Sequence, residues 1–128
     1  MKKLLFGLFI FLNLLLTPAS YASHIDIKPC IKTSHCVIEE WDVSEINNPF
    51  TIVKTIIKEN PRTEIVDIDG DYLHAEVTSR IMKYVDDLEV SYLIDKNHLI
   101  IRSESRVGDG DFGVNQKRVD LIKSLIFS

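Results

Sequence analysis

The chain has 128 residues, a formal net charge of −4 and 45% hydrophobic residues. That length fits one domain and excludes two of ordinary size. Its acidity argues against nucleic-acid binding and against simple adhesion to anionic lipid, since both lean on basic surface.

Met1-Lys2-Lys3 begins the sequence with positive charge, and Leu4 to Leu16 is apolar, interrupted only by Gly7 and Asn13. Thr17-Pro18 breaks the run, and Ser20-Tyr21-Ala22 places small residues where signal peptidase reads them. This order predicts a signal peptide over 1–22, cleaved after Ala22. The run is shorter than the roughly 20 apolar residues of a membrane span, so no stable membrane insertion is expected after cleavage. Cleavage removes two Lys and no acid, taking the net charge from −4 to −6 for residues 23–128. The expected location is periplasmic or secreted.

Residues 23–48 show no sustained period and predict an irregular N-terminal arm. Cys30 and Cys36 lie in it. An oxidising compartment favours their pairing, and so small a ring contributes only about 2 kcal/mol. A metal site with His35 is the competing reading, but two Cys and one His make an incomplete zinc set. Trp41, the sole tryptophan, is expected to anchor the arm to the domain, with ligand stacking as the alternative.

Residues 49–128 predict the compact domain. Asn48-Pro49 reads as a helix start with Asn as cap. Phe50, Val53, Ile56 and Ile57 form one apolar stripe, and Asn60-Pro61 ends the helix. Four strands follow: Thr63 to Ile68, Tyr72 to Arg80, Leu88 to Ile94 and His98 to Arg106. Met82 to Val85 reads as an extension or a bulge. Asp69-Gly70 marks a hairpin turn, and Asp95-Lys96-Asn97 a second turn. Short connections predict an antiparallel meander. Val107 to Gly113 reads as a loop, with Asp111 as cap of a last helix reaching about Phe127. The expected inner face of that helix is Phe112, Val119, Ile122 and Leu125 or Ile126. The predicted fold is thus α+β: about four antiparallel strands with two helices packed on one face, preceded by the disulfide-pinned arm.

Alternation along the strands sends Leu73, Ala75, Val77, Leu88, Val90, Leu99 and Ile101 to one face. The other face carries His74, Glu76, Arg80, Asp87, Glu89, Arg102, Glu104 and Arg106. Such a lattice of alternating charge is either a solvated face held by cross-strand ion pairs or a polar cleft whose Arg side chains grip carboxylate or phosphate. A third reading makes His74 or a carboxylate a general base.

Known motifs fail on spacing. Asp67-Ile68-Asp69-Gly70-Asp71 has Gly fourth, where a calcium loop needs it sixth. Gly108-Asp109-Gly110-Asp111-Phe112-Gly113 lacks the Lys-Ser/Thr end of a phosphate loop. No Gly-x-Ser-x-Gly elbow occurs.

Several segments match one pattern in order: Pro61-Arg62-Thr63, Asp71-Tyr72-Leu73-His74-Ala75-Glu76, Ser79-Arg80 and Tyr84-Val85-Asp86-Asp87-Leu88-Glu89. Arg102-Ser103-Glu104-Ser105-Arg106-Val107-Gly108 and Asp111-Phe112-Gly113-Val114-Asn115-Gln116-Lys117-Arg118-Val119 continue it. In these motifs, and in its Pro-Cys…Cys opening, the chain resembles the domain-of-unknown-function 1499 family of bacterial and plant proteins. Glu104 departs from the small residue usual there. The resemblance implies a compact domain and no activity. It directs attention to Arg62, Arg80, Asp86, Asp87, Arg102, Ser103, Ser105, Arg106, Asn115 and Arg118, in a functional role or as an Arg–Asp network joining the sheet to the last helix.

The expected function is that of a non-catalytic envelope protein. It would bind a small anionic ligand or a protein partner through the charged face, with Arg80, Asp87, Arg102, Arg106, Asn115 and Arg118 as contacts. The alternatives are a hydrolase-like enzyme using His74 and a neighbouring carboxylate, or a purely structural role. No catalytic residue, metal, cofactor or nucleic-acid partner is assigned.

Overall fold

The computed structural model describes residues 26–128, so the signal-peptide reading lies outside the described residues. Seven elements follow one another. They are β1 (Cys36–Asp42), α1 (Pro49–Glu59), β2 (Thr63–Asp69), β3 (Tyr72–Thr78), β4 (Val85–Leu93), β5 (His98–Ser105) and α2 (Val114–Ile126). The strands form one sheet in the order β1-β5-β4-β3-β2, antiparallel throughout. From β2 to β5 the chain is the expected meander. β1 closes the sheet beside β5, and α1 carries the chain across to the far edge.

The fifth strand corrects the expectation of four strands and of an irregular arm over 23–48. Its alternation is broken at Glu39, which occupies an inward position between Val37 and Trp41. Glu39 is tolerated there because donors surround it: Trp41 Nε1–H at 2.9 Å and Gln116 Nε2–H at 2.9 Å, with Lys123 Nζ at 3.8 Å. Burial works against its charge, yet Trp41, Gln116 and Lys123 hold its carboxyl below the ordinary value. Trp41 itself is buried in the core, its ring edge-on to Phe127 with centroids 6.1 Å apart. Its expected role as an anchor is what the packing shows.

Both helices cover the same sheet face. Val53 and Ile57 from α1, and Val119, Ile122 and Ile126 from α2, meet Leu73, Ala75, Val77, Leu88, Val90, Leu99 and Ile101 in one cluster. α1 lies over the β2 side, α2 over β1 and β5, and the helices also touch each other. The Cys30–Cys36 disulfide is formed, with Cα atoms 5.6 Å apart. Pro49 opens α1, but Asn48 makes no side-chain cap bond and holds a left-handed backbone. Met82 to Val85 does not extend β3: residues 79–84 form a loop and β4 begins at Val85. Among the described residues, no helix is long and apolar enough to cross a membrane.

Candidate functional site

Register places three of the expected contact residues on the open face of the sheet. Glu89 pairs across to Arg102 and His74, and Asp87 to Glu104 and Glu76. Arg106 grips Asp87 with two donors, Nε and Nη2, both at 2.8 Å, and its Nη2 lies 3.4 Å from Glu76. His74 Nε2 is 2.7 Å from the same carboxylate. Arg102 Nη2 donates to Glu104 at 3.1 Å, and its Nη1 is 3.5 Å from Glu89. Tyr72 Oη–H donates to Glu89 at 2.7 Å. Each guanidinium is therefore answered by two carboxylates, though the buried Arg102 Nε has no hydrogen-bond partner among the described residues.

Arg106 holds the Asp87 carboxyl below its usual 3.8, with His74 adding to it and burial opposing both. A carboxyl lowered by folding contributes stability above its unfolded pKa and loses it as pH falls through the folded value. Stability should therefore be level near neutrality and decline below about pH 4. Asp87→Asn should flatten that acid limb in urea titrations repeated across pH; an unchanged limb would show that the lattice adds nothing to the acid response.

A second network lies on the opposite, helix-covered face, where the core turns polar. Inward positions that carry Leu or Val elsewhere on β4 and β5 carry Asp86, Ser103 and Ser105 here, and all three are buried. Arg118 of α2 reaches down to them. Its Nη2 donates to Asp86 at 2.8 Å, and its Nη1 to Ser103 Oγ and Asn115 Oδ1, both at 2.9 Å. Asn115 has no exposure at all. Its Oδ1 accepts from Ser103 at 2.7 Å, and its amide donates to Ser105 at 2.8 Å, Asp111 at 2.7 Å and the His35 carbonyl at 3.2 Å. Gly113, in a left-handed conformation, is the N-cap of α2 in place of the expected Asp111. Asp111, two residues earlier, still accepts from the Gly113 and Asn115 amides at 2.8 and 3.2 Å. Burial acts against its charge, but these donors keep its carboxyl below the ordinary value.

Beside this network opens a cavity of about 560 Å³. It lies between the β3–β4 loop and the β5–α2 loop. Asp86, Ser105 and Asp111 line it, and Arg80 stands at its wall. The rest is mainly apolar: Ile81, Met82, Tyr84, Val107, Phe112 and Val114. All six are exposed, Ile81 at 83% and Phe112 completely. Phe112 also holds a left-handed backbone, φ 54°, which costs a non-glycine residue of order 1–2 kcal/mol. It was expected on the inner face of α2. The structure moves it outside because the helix starts only at Val114. Of the alternatives at the other end, Ile126 is buried and Leu125 is exposed.

The six expected contact residues thus divide. Asp87, Arg102 and Arg106 share the open face, Asn115 and Arg118 build the inner network, and exposed Arg80 stands alone at the cavity. The apolar cavity walls were missed, because Tyr72 to Arg80 read as strand where β3 ends at Thr78, Met82 to Val85 read as an extension or bulge, and Val107 to Gly113 read as a loop. Exposed apolar residues in those loops were the available signal. Among the described residues no group of three side chains able to hold a metal comes together.

A family model described as "Protein of unknown function (DUF1499)" matches residues 17–125. No curated protein and no solved structure matches the chain.

Proposed function

The chain belongs to the DUF1499 family, and from that premise we propose that it is an exported, non-catalytic protein that binds a small molecule in the cavity between the β3–β4 and β5–α2 loops. One observation carries the reading: six large apolar side chains, from the β3–β4 loop, the β5–α2 loop and the first residue of α2, stay exposed around a single cavity. Its volume lies within the about 300–1,000 Å³ of small-molecule sites. Ser79-Arg80, Tyr84 to Asp86, Ser103 to Gly108 and Asp111 to Arg118, all segments that carry the resemblance, form or underlie it. The open face is a weaker place for an anionic ligand, because its arginines are already taken by carboxylates. The leader pattern at 1–22 and the Cys30–Cys36 bridge support export.

Native mass spectrometry of protein purified from the exported fraction, with free thiols trapped, tests this. The expected spectrum shows an added mass that survives Arg106→Ala and disappears in Ile81→Asp/Phe112→Ser. A bare mass, or an adduct indifferent to the loss of both apolar walls, counts against the reading.

The 2.7 Å contact of His74 with Asp87 favours a second reading, an acid–base enzyme on the open face. Arg106, which holds Asp87 ionised and committed, weakens it. Activity lost in His74→Gln with folding intact would revive it.

A further inference from the structure

The cavity's charges define the kind of molecule it takes. Asp86 is neutralised by Arg118 at 2.8 Å. Asp111 is spent on the Gly113 amide and on the backbone and side-chain amides of Asn115. Asp86 is therefore compensated by a cation, while Asp111 keeps its charge with its oxygens occupied by neutral amide donors. Arg80 lines the same cavity, is exposed, and its side chain makes no hydrogen bond or ion pair among the described residues. Among those residues it is the only cationic side chain in the cavity lining, set beside walls of Ile81, Met82, Val107, Phe112 and Val114, and its donors are free where those of Arg118 are spent.

We propose that the ligand is a single-chain anionic amphiphile, its apolar chain lying against the two loops and its carboxylate or phosphate head on the Arg80 guanidinium. This rests on the cavity being a binding site and adds the ligand's class and orientation. A planar guanidinium presents paired donors that match either head group. The apolar chain would cover side chains that folding leaves in water, which is the main source of affinity in such sites. Because Arg80 is exposed, its contribution is screened by salt. The wall contribution is not.

Isothermal titration of the protein (residues 23–128, oxidised) with decanoate, decyl phosphate, 1-decanol and decyltrimethylammonium separates the parts. Saturable binding of an anionic decyl compound is expected, with decyltrimethylammonium much weaker. Arg80→Ala should lower the anion's affinity about tenfold at low salt, leave 1-decanol unchanged and show less effect as salt rises. Comparing decanoate with decyl phosphate identifies the head. Equal binding of anion, cation and alcohol, untouched by Arg80→Ala, overturns the anionic assignment while the cavity stands as a site. No binding of any of the four overturns the amphiphile, and with the bare mass described above the cavity reading too. Sedimentation with phosphatidylglycerol vesicles, in the absence of decanoate or decyl phosphate binding, would show a membrane surface in place of a single chain and overturn the proposal.

Discussion

Arg118→Ala should cost about 3–5 kcal/mol of stability, the range for removing one partner of a buried ion pair. The side chains of Arg118 and Asp86 are only 10% and 12% exposed. The substitution leaves Asp86 charged and buried without its cation. It also removes donors from Ser103 and from Asn115 Oδ1. Arg118→Lys keeps the charge but cannot reach Asp86 and Ser103 together, so it should fall between wild type and Ala. Arg118→Met with Asp86→Leu should cost less than Arg118→Ala alone, because removing both charges leaves none stranded. Urea midpoints followed by circular dichroism supply the comparison. Arg106→Ala, on a side chain 45% exposed, should shift the midpoint little. Equal losses at 106 and 118 would contradict the division into an open lattice and a buried network.

Trp41→Ala should cost about 3–5 kcal/mol, as large aromatic deletions in cores do. Trp41 is 4% exposed and stands on the edge strand β1, opposite Leu99 of β5. Its removal opens a cavity against Phe127, 6.1 Å away, and takes the indole N–H from Glu39. Glu39 then faces the core with only Gln116 and Lys123. Circular dichroism melts read this without the lost fluorophore. A loss below about 1 kcal/mol, the size of a surface substitution, would mean that β1 only decorates the sheet.

The difference between what the sequence discloses and what it conceals has physical causes in particular residues. Strands β2 to β5 and both helices are legible because Leu73-Ala75-Val77, Leu88-Val90 and Leu99-Ile101 alternate strictly, and because Asp69-Gly70 and Asn60-Pro61 punctuate them. β1 is hidden by Glu39, a charge in an inward position two of whose three partners, Gln116 and Lys123, come from a helix about 80 residues later. The inner network is half legible. Ser103 reads as inward, and an Arg–Asp link to the last helix follows from the motifs, but alternation cannot say which arginine meets which aspartate. Asp86 and Asp87 are neighbours on opposite faces, so one meets Arg118 and the other Arg106. The cavity is least legible. Its walls come from two loops without periodicity, and only the packed sheet brings Ile81 and Phe112 to one mouth.

Amide shift mapping of ¹⁵N-labelled protein during a decanoate titration bears most directly on the site. Saturable changes should gather at Ile81–Tyr84 and Val107–Val114, leaving Tyr72, His74 and Glu89 still. Changes centred on those three, or no saturable change anywhere, would contradict a binding cavity at the end of the sheet.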